Sequence, residues 1–376
     1  MGDEYEMGTM VGMGAYGVVR RCVKRATGQE YACKSSNDKK AANNEIALLA
    51  RVQGHPNVVR LEAHCHSQDS VHLLLELCHG GDLLEHIETL RAARSLGPDH
   101  QGAVLSEAEA AEALLAVVLA LSFCHSRGVM HRDIKPENLL LPRPDSRLSA
   151  LKLADFGVAA DIATIKTLDD MVVGTYDYQA PEVLSDEIYN EKVDVWSLGV
   201  VLYLLLRDQS PFGCSTGPHE VQEASFSPEL LYQLENSQPP ISHHAKDLLI
   251  NLLQVNPTKR LDFKSILMHP WIFPVLPHAL LNYDEFLTSR SSRDDIDGLK
   301  FCSSQPPVLM DVPHKIQVRL RVKTKQTKKI RKKLLHQRAL VGLRNQLSTI
   351  SSSPSHFSLS ICKNLSQHVT EWLNKH

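Results

Sequence analysis

The chain has 376 residues, 43% hydrophobic and 22% charged, with a formal net charge of -2 at pH 7. That balance fits an ordinary soluble globular protein and excludes a surface that is basic throughout, so nucleic acid is not an expected partner and any basic site is local. Single cores stop growing near about 250 residues, so the length suits two lobes plus an appendage. Eight cysteines show no CxxC pair and no metal-ligand spacing, and read as reduced intracellular thiols. The opening MGDEYEMG carries acids rather than an apolar signal segment, and Glu6 stands where a myristoylation signal prefers Ser or Thr, so neither a leader nor an acyl anchor is expected.

In chain order, residues 5–34 alternate apolar and polar with a glycine-rich break at 12–17, which predicts two strands joined by a glycine turn. Six turn residues, Ser35 to Lys40, then lead to a helix over 41–52, with Glu45 in its first or second turn. VVRLEAHCH and SVHLLLELC predict a strand pair around Gln68, Asp69 and Ser70, and Gly80 and Gly81 close a small strand-rich lobe. RAARSLGPDHQGAVL (91–105) reads as a loop. At Ser106 the sequence SEAE offers a capping box with Glu109 and opens an apolar helix ending near His125. Further helices are predicted over 193–206, 243–255 and 262–269, and the compact part ends near HPWIF (269–273). The apolar runs ALLAVVLALSF and VWSLGVVLYLLL fall short of the roughly 20 residues that span a bilayer, which predicts core helices and no transmembrane segment. Between Lys315 and Ile350 there are twelve Lys or Arg and no Asp or Glu.

GMGAYGVV, ACK, HRDIKPEN, DFG and APE occur in one order across residues 12–182. On these motifs the chain resembles the eukaryotic protein kinase family over roughly residues 5–273. The resemblance implies an α+β bilobal fold: a strand-rich N-lobe (5–78) with one short regulatory helix, a mostly helical C-lobe (79–273), and an extension (274–376) expected to be partly disordered, with a basic segment at 315–344. It also implies transfer of the ATP γ-phosphoryl group to protein serine or threonine hydroxyls, with Mg²⁺ as cofactor.

The chemistry of the residues is consistent with those roles. Gly12, Gly14 and Gly17 leave a hairpin without side chains where backbone N–H groups must approach phosphate oxygens. Lys34 on a half-buried strand needs a carboxylate partner, and Glu45 supplies one. By resemblance Asp133 orients the incoming hydroxyl and accepts its proton, Lys135 reaches the transferred phosphate, and Asn138 and Asp155 offer oxygens to Mg²⁺. Val19, Ala32 and Leu140 would line the adenine slot beside Leu75 and the Glu76, Leu77, Cys78 hinge. His131, Phe156, Leu49 and Leu61 are expected in one packed stack, Glu182 is expected to pair with Arg260, and Asp194 to hold the HRD loop.

ELCHGGDL, HRDIKPENLLL and VVGTYDYQAPEVL resemble the calcium- and calmodulin-dependent group and its plant and protist branch, although no DxDxDG loop occurs in the sequence. Asp82 and Glu137 then imply a preference for basic residues upstream of the acceptor. Arg132 implies control by negative charge in the activation segment, from Asp169 and Asp170 or from phosphorylated Thr167. The basic segment is expected to engage a nuclear-import receptor or calmodulin, and the protein to reside in cytoplasm, nucleus or both. The alternative is a catalytically weak kinase-fold scaffold, to which the short link before Glu45, the 91–105 stretch and GCSTGPHEVQEASFSPELL point.

Overall fold

The computed structural model describes residues 4–14, 17–94, 103–163, 176–185, 187–212 and 240–276. Strands β1 (Tyr5–Gly14), β2 (Gly17–Lys24), β3 (Glu30–Ser36), β4 (Leu61–His66) and β5 (Val71–Glu76) form one antiparallel sheet in the order β1-β2-β3-β5-β4. Residues 5–34 thus make three strands, not two. The extra reversal follows Lys24, whose N–H donates to Gln29 O at 2.8 Å, with Gly28 at φ 69° in the turn. The two-residue side-chain period puts Tyr31 and Cys33 with Tyr5, Cys22 and Leu74 in a buried cluster, and turns Ala32 and Lys34 to the opposite face.

Helix α1 (Lys39–Arg51) starts earlier than its hydrophobic pattern suggests. The reason is Asp38, which is the N-cap and accepts from Ala41 N at 2.9 Å. With β3 running to Ser36, the link shrinks from the expected six residues to Asn37 and Asp38. Glu45 becomes the seventh of thirteen helical residues, at the centre of the helix rather than near its start. Ala42, Glu45, Leu48 and Leu49 form its buried face.

The helical half contains α2 (Leu83–Ala93), α3 (Glu107–Ser126), α4 (Pro181–Leu184), α5 (Lys192–Arg207), α6 (His243–Leu252) and α7 (Phe263–Leu267), with short strands β6 (Val129–Met130), β7 (Leu139–Leu140), β8 (Lys152–Leu153) and β9 (Ala160–Asp161). The predicted loop at 91–105 is corrected at its start, since Arg91 to Ala93 belong to α2. Its Asp82–Glu85 capping box carries the helix through them. Helices α6 and α7 are shorter than predicted, each held at its start by a capping side chain, Ser242 and Asp262. The Ser106–Glu109 capping box of α3 is present as expected.

Helix α3 is long and apolar enough to cross a membrane, yet thirteen of its residues are buried inside the protein, where it packs against α5 and α7. Helix α5 is buried on nearly every side. At Gly199 a Cβ would lie 2.9 Å from Leu253 Cδ2, so glycine lets α6 approach closely. These two helices form the platform from which the loops of the site project.

Candidate active site

Strand β3 and helix α1 place Lys34 and Glu45 face to face. Lys34 Nζ donates to both Glu45 oxygens, at 2.7 and 2.8 Å, and to Asp155 Oδ1 at 2.7 Å. Lys34 is 5% exposed and Glu45 3%, so neither charge could stay buried without the other. Burial works against the Lys34 ammonium, but the two carboxylates outweigh it and raise its pKa. Burial likewise pushes Asp155 upward, while Lys34 and the Gly157 N–H prevail and hold it below the usual carboxylate range. Burial also raises Glu45 against the pull of Lys34. One ammonium therefore joins a carboxylate from the sheet-side helix to a carboxylate of the DFG turn.

Below it, the loop from β6 to β7 carries His131 to Asn138. Asp194, fully buried on α5, accepts from His131 N at 2.9 Å, Arg132 N at 2.8 Å and His125 Nε2 at 2.7 Å. That anchorage holds Arg132 at φ 69°, a left-handed conformation that costs a non-glycine residue about 1–3 kcal/mol. Asn138 Nδ2 donates to Asp133 O at 2.7 Å and to Asp133 Oδ2 at 2.9 Å, and Lys135 Nζ lies 3.0 Å from Asp133 Oδ2. Ala154 N donates to Asn138 O at 2.9 Å, which sets the residue before Asp155 against the catalytic loop. His131 Nε2 donates to Ala154 O at 2.9 Å, with Nδ1 accepting from Asp133 N, and its ring meets Phe156 edge-on at 4.9 Å. His131, Phe156, Leu49 and Leu61 are all buried, as the expected stack requires.

This donor set fits magnesium and a triphosphate. Asn138 spends its amide nitrogen on Asp133 and keeps Oδ1 for a cation, while Asp155 stays ionised. Among the described residues no three His, Cys, Asp or Glu side chains gather to hold a metal alone. The glycines divide. At Gly17, with φ 145°, a Cβ would lie 2.4 Å from Ser35 O, so the fold itself demands glycine. At Gly12 a Cβ would meet only Val19, at 3.8 Å, so packing makes no such demand. Gly14 pairs with Gly17 where the hairpin reverses.

Val19, Ala32 and Leu140 are each half-buried, with Val19 paired to Lys34 and Ala32 to Leu75 across the sheet. The Glu76 side chain accepts from Arg60 N at 2.7 Å and pairs with Lys152 at 2.9 Å, while its own N–H donates to Arg60 O at 2.9 Å. Burial, then Glu76, pushes the Cys78 thiol up to about 12. On the platform, Arg260 meets Glu182 through two parallel bonds of 2.6 and 2.7 Å. Its remaining donors reach Gln254 O, Lys192 O and Val255 O, and its guanidinium lies over the Trp196 ring.

The sequence reading missed His125, which faces Asp194 from α3, and Tyr189, whose hydroxyl accepts from Arg132 NH1 at 2.9 Å. It also missed Arg51 and Asn44 on α1. Only histidine beside the end of an apolar helix hinted at the first, and nothing local at the others. Thr167, Asp169, Asp170 and Met171, the 213–231 stretch and the basic segment at 315–344 lie outside the described residues.

A protein-family profile described as "protein kinase domain" matches residues 5–272. The chain is similar to calcium-dependent protein kinase 19 of Arabidopsis thaliana, 37% identical over 278 residues that cover 72% of this chain and 48% of that protein. Calcium-dependent protein kinase 13 of Oryza sativa subsp. japonica is 38% identical over 281 residues, covering 72% and 47%. Serine/threonine-protein kinase PEPKR2 of Arabidopsis thaliana is 37% identical over 271 residues, covering 72% and 53%. The chain spans about half the length of the curated relatives it matches. With its two-part α+β architecture, its bridged lysine and its matched span, the chain belongs to the protein kinase domain family.

Proposed function

We propose that the chain transfers the terminal phosphoryl group of ATP to serine and threonine hydroxyls of protein substrates. The observation that carries this reading is Lys34 held between Glu45 and Asp155, both at 2.7 Å, in a bridge that a purely structural scaffold has no need to keep buried and charged. Asp133 orients the acceptor hydroxyl and takes its proton as the oxygen bonds to phosphorus and the bond from phosphorus to the leaving ADP breaks. Lys135 and Lys34 balance phosphate charge, and Asn138 keeps Asp133 in place. Asn138 and Asp155 would hold magnesium, which when bound would supply further charge neutralisation at the phosphate oxygens.

Exposed Glu137 and half-buried Asp82 favour acceptor sequences with arginine upstream, although Asp82 also caps α2 through Glu85 N at 2.9 Å. The basic run at 315–344 is proposed to bind an import receptor or calmodulin, which would allow nuclear or cytoplasmic residence and calcium control without an EF-hand loop. The test of the central reading compares transfer to a basic serine peptide by the wild-type chain and by Asp133→Ala. A drop of about a hundredfold or more supports it, and equal background rates in both leave the scaffold reading standing.

A further inference from the structure

Arg51 is the last residue of α1, six positions beyond Glu45. Its NH1 lies 2.6 Å from Asp161 Oδ2 on β9, and its NH2 donates to Arg127 O at 2.5 Å. Arg127 is the C-cap of α3, so Arg51 satisfies a carbonyl at the negative end of that helix. The contact is reciprocated, since Arg127 NH1 reaches Arg51 O at 3.5 Å, at the corresponding end of α1. Two turns earlier on the same helix, Asn44 Nδ2 donates to Ala159 O at 3.3 Å. Asp161 is itself fixed, with Oδ1 accepting from Ala163 N at 2.8 Å and its backbone paired with Val129.

These contacts meet where position matters. Strand β6 leads into His131 to Asp133, and β9 leads out of Asp155 to Gly157. Helix α1 carries Glu45. Six helical residues lie on either side of Glu45, and among the described residues the contacts that tie α1 to the loop before β9, to β9 and to the end of α3 come from Asn44 and Arg51. An ion pair this exposed contributes little stability alone. Its effect lies in joining three segments whose relative placement sets the Lys34 bridge.

We propose that Arg51 is a positioning residue, clasped to Asp161 and to the α3 C-terminal carbonyl, that seats α1 so that Glu45 meets Lys34. The proposal rests on the phosphotransfer reading for its kinetic consequence but not for its structural one. Its test combines hydrogen exchange across residues 44–51 of the full chain with steady-state kinetics. The variants are Arg51→Ala, Arg51→Lys, Arg51→Asp and Arg51→Asp paired with Asp161→Arg. Arg51→Ala should speed exchange and lower kcat by roughly fivefold or more, the size of typical coupling between sites. Arg51→Lys should recover part of the loss, and the exchanged pair should outperform Arg51→Asp alone.

Unchanged exchange, or faster exchange with unchanged kcat, overturns the proposal. If the wild-type chain transfers no phosphate, the phosphotransfer reading fails by itself. The clasp is then supported by faster exchange in Arg51→Ala together with weaker protection of α1 by Mg-ATP, and overturned if both match wild type.

Discussion

Replacing Asp194 with Asn removes one charge and almost no volume, which isolates what the carboxylate does. In the wild type its two oxygens accept three bonds, from His131 N, Arg132 N and His125 Nε2. An amide has one accepting oxygen, so in either orientation its NH₂ faces a backbone N–H of the catalytic loop. One such orphaned donor costs about 1–3 kcal/mol, and loss of charge from the remaining bonds adds a similar amount. A destabilisation of about 3–5 kcal/mol is expected, read as a shift of the urea midpoint at unchanged slope. Arg132 at φ 69° should then relax and displace Asp133 next to it, lowering phosphotransfer by about a hundredfold. The pH dependence adds a sign. Burial pushes Asp194 upward, but His125 and the loop donors prevail and hold its pKa below the usual carboxylate value. Its contribution is therefore complete above about pH 4 and is lost as pH falls through the lower folded value. The gap between wild type and Asp194→Asn should close only in acid. A variant with wild-type midpoint and activity, or a gap that narrows between pH 8 and 5, would refute the reasoning.

Gly17→Ala should lose about 1–3 kcal/mol because its Cβ strikes Ser35 O, whereas Gly12→Ala should melt near wild type and show its effect in the ATP KM; equal melting shifts would contradict the division of the glycines. Arg260→Lys keeps the charge but not the five-donor fork, so a loss of about 2–4 kcal/mol in urea is expected, with Arg260→Ala worse; wild-type stability in the lysine variant would show that the carbonyl contacts are dispensable. With its thiol near 12, Cys78 holds roughly one thiolate in ten thousand at pH 8, so iodoacetamide should label it about a thousandfold more slowly than in the denatured chain. Comparable labelling rates by mass spectrometry would remove burial as the controlling factor.

The site's chemistry was legible because it lies in short motifs. Lys34, Asp133, Asn138 and Asp155 each sit in a run whose residue types and order imply phosphate handling, and the Ser106–Glu109 capping box announced α3 by an interaction three residues long. Local signals were also overlooked where two competed: Gly28 marks the β2–β3 reversal and Asp38 the start of α1, yet the apolar pattern alone suggested two strands and a later helix. Asp194 was expected at the HRD loop by resemblance alone, and what seats Glu45 had no such signal. Asp194 meets its loop donors across more than sixty residues, and Arg51 meets Asp161 across 110. Their roles depend on which backbone donors and acceptors the fold leaves unpaired at helix ends and in the catalytic loop. Sequence determined which groups could do the chemistry. Only tertiary structure decided which charges hold them there, because a buried polar group acquires its partner from packing and not from its neighbours in the chain.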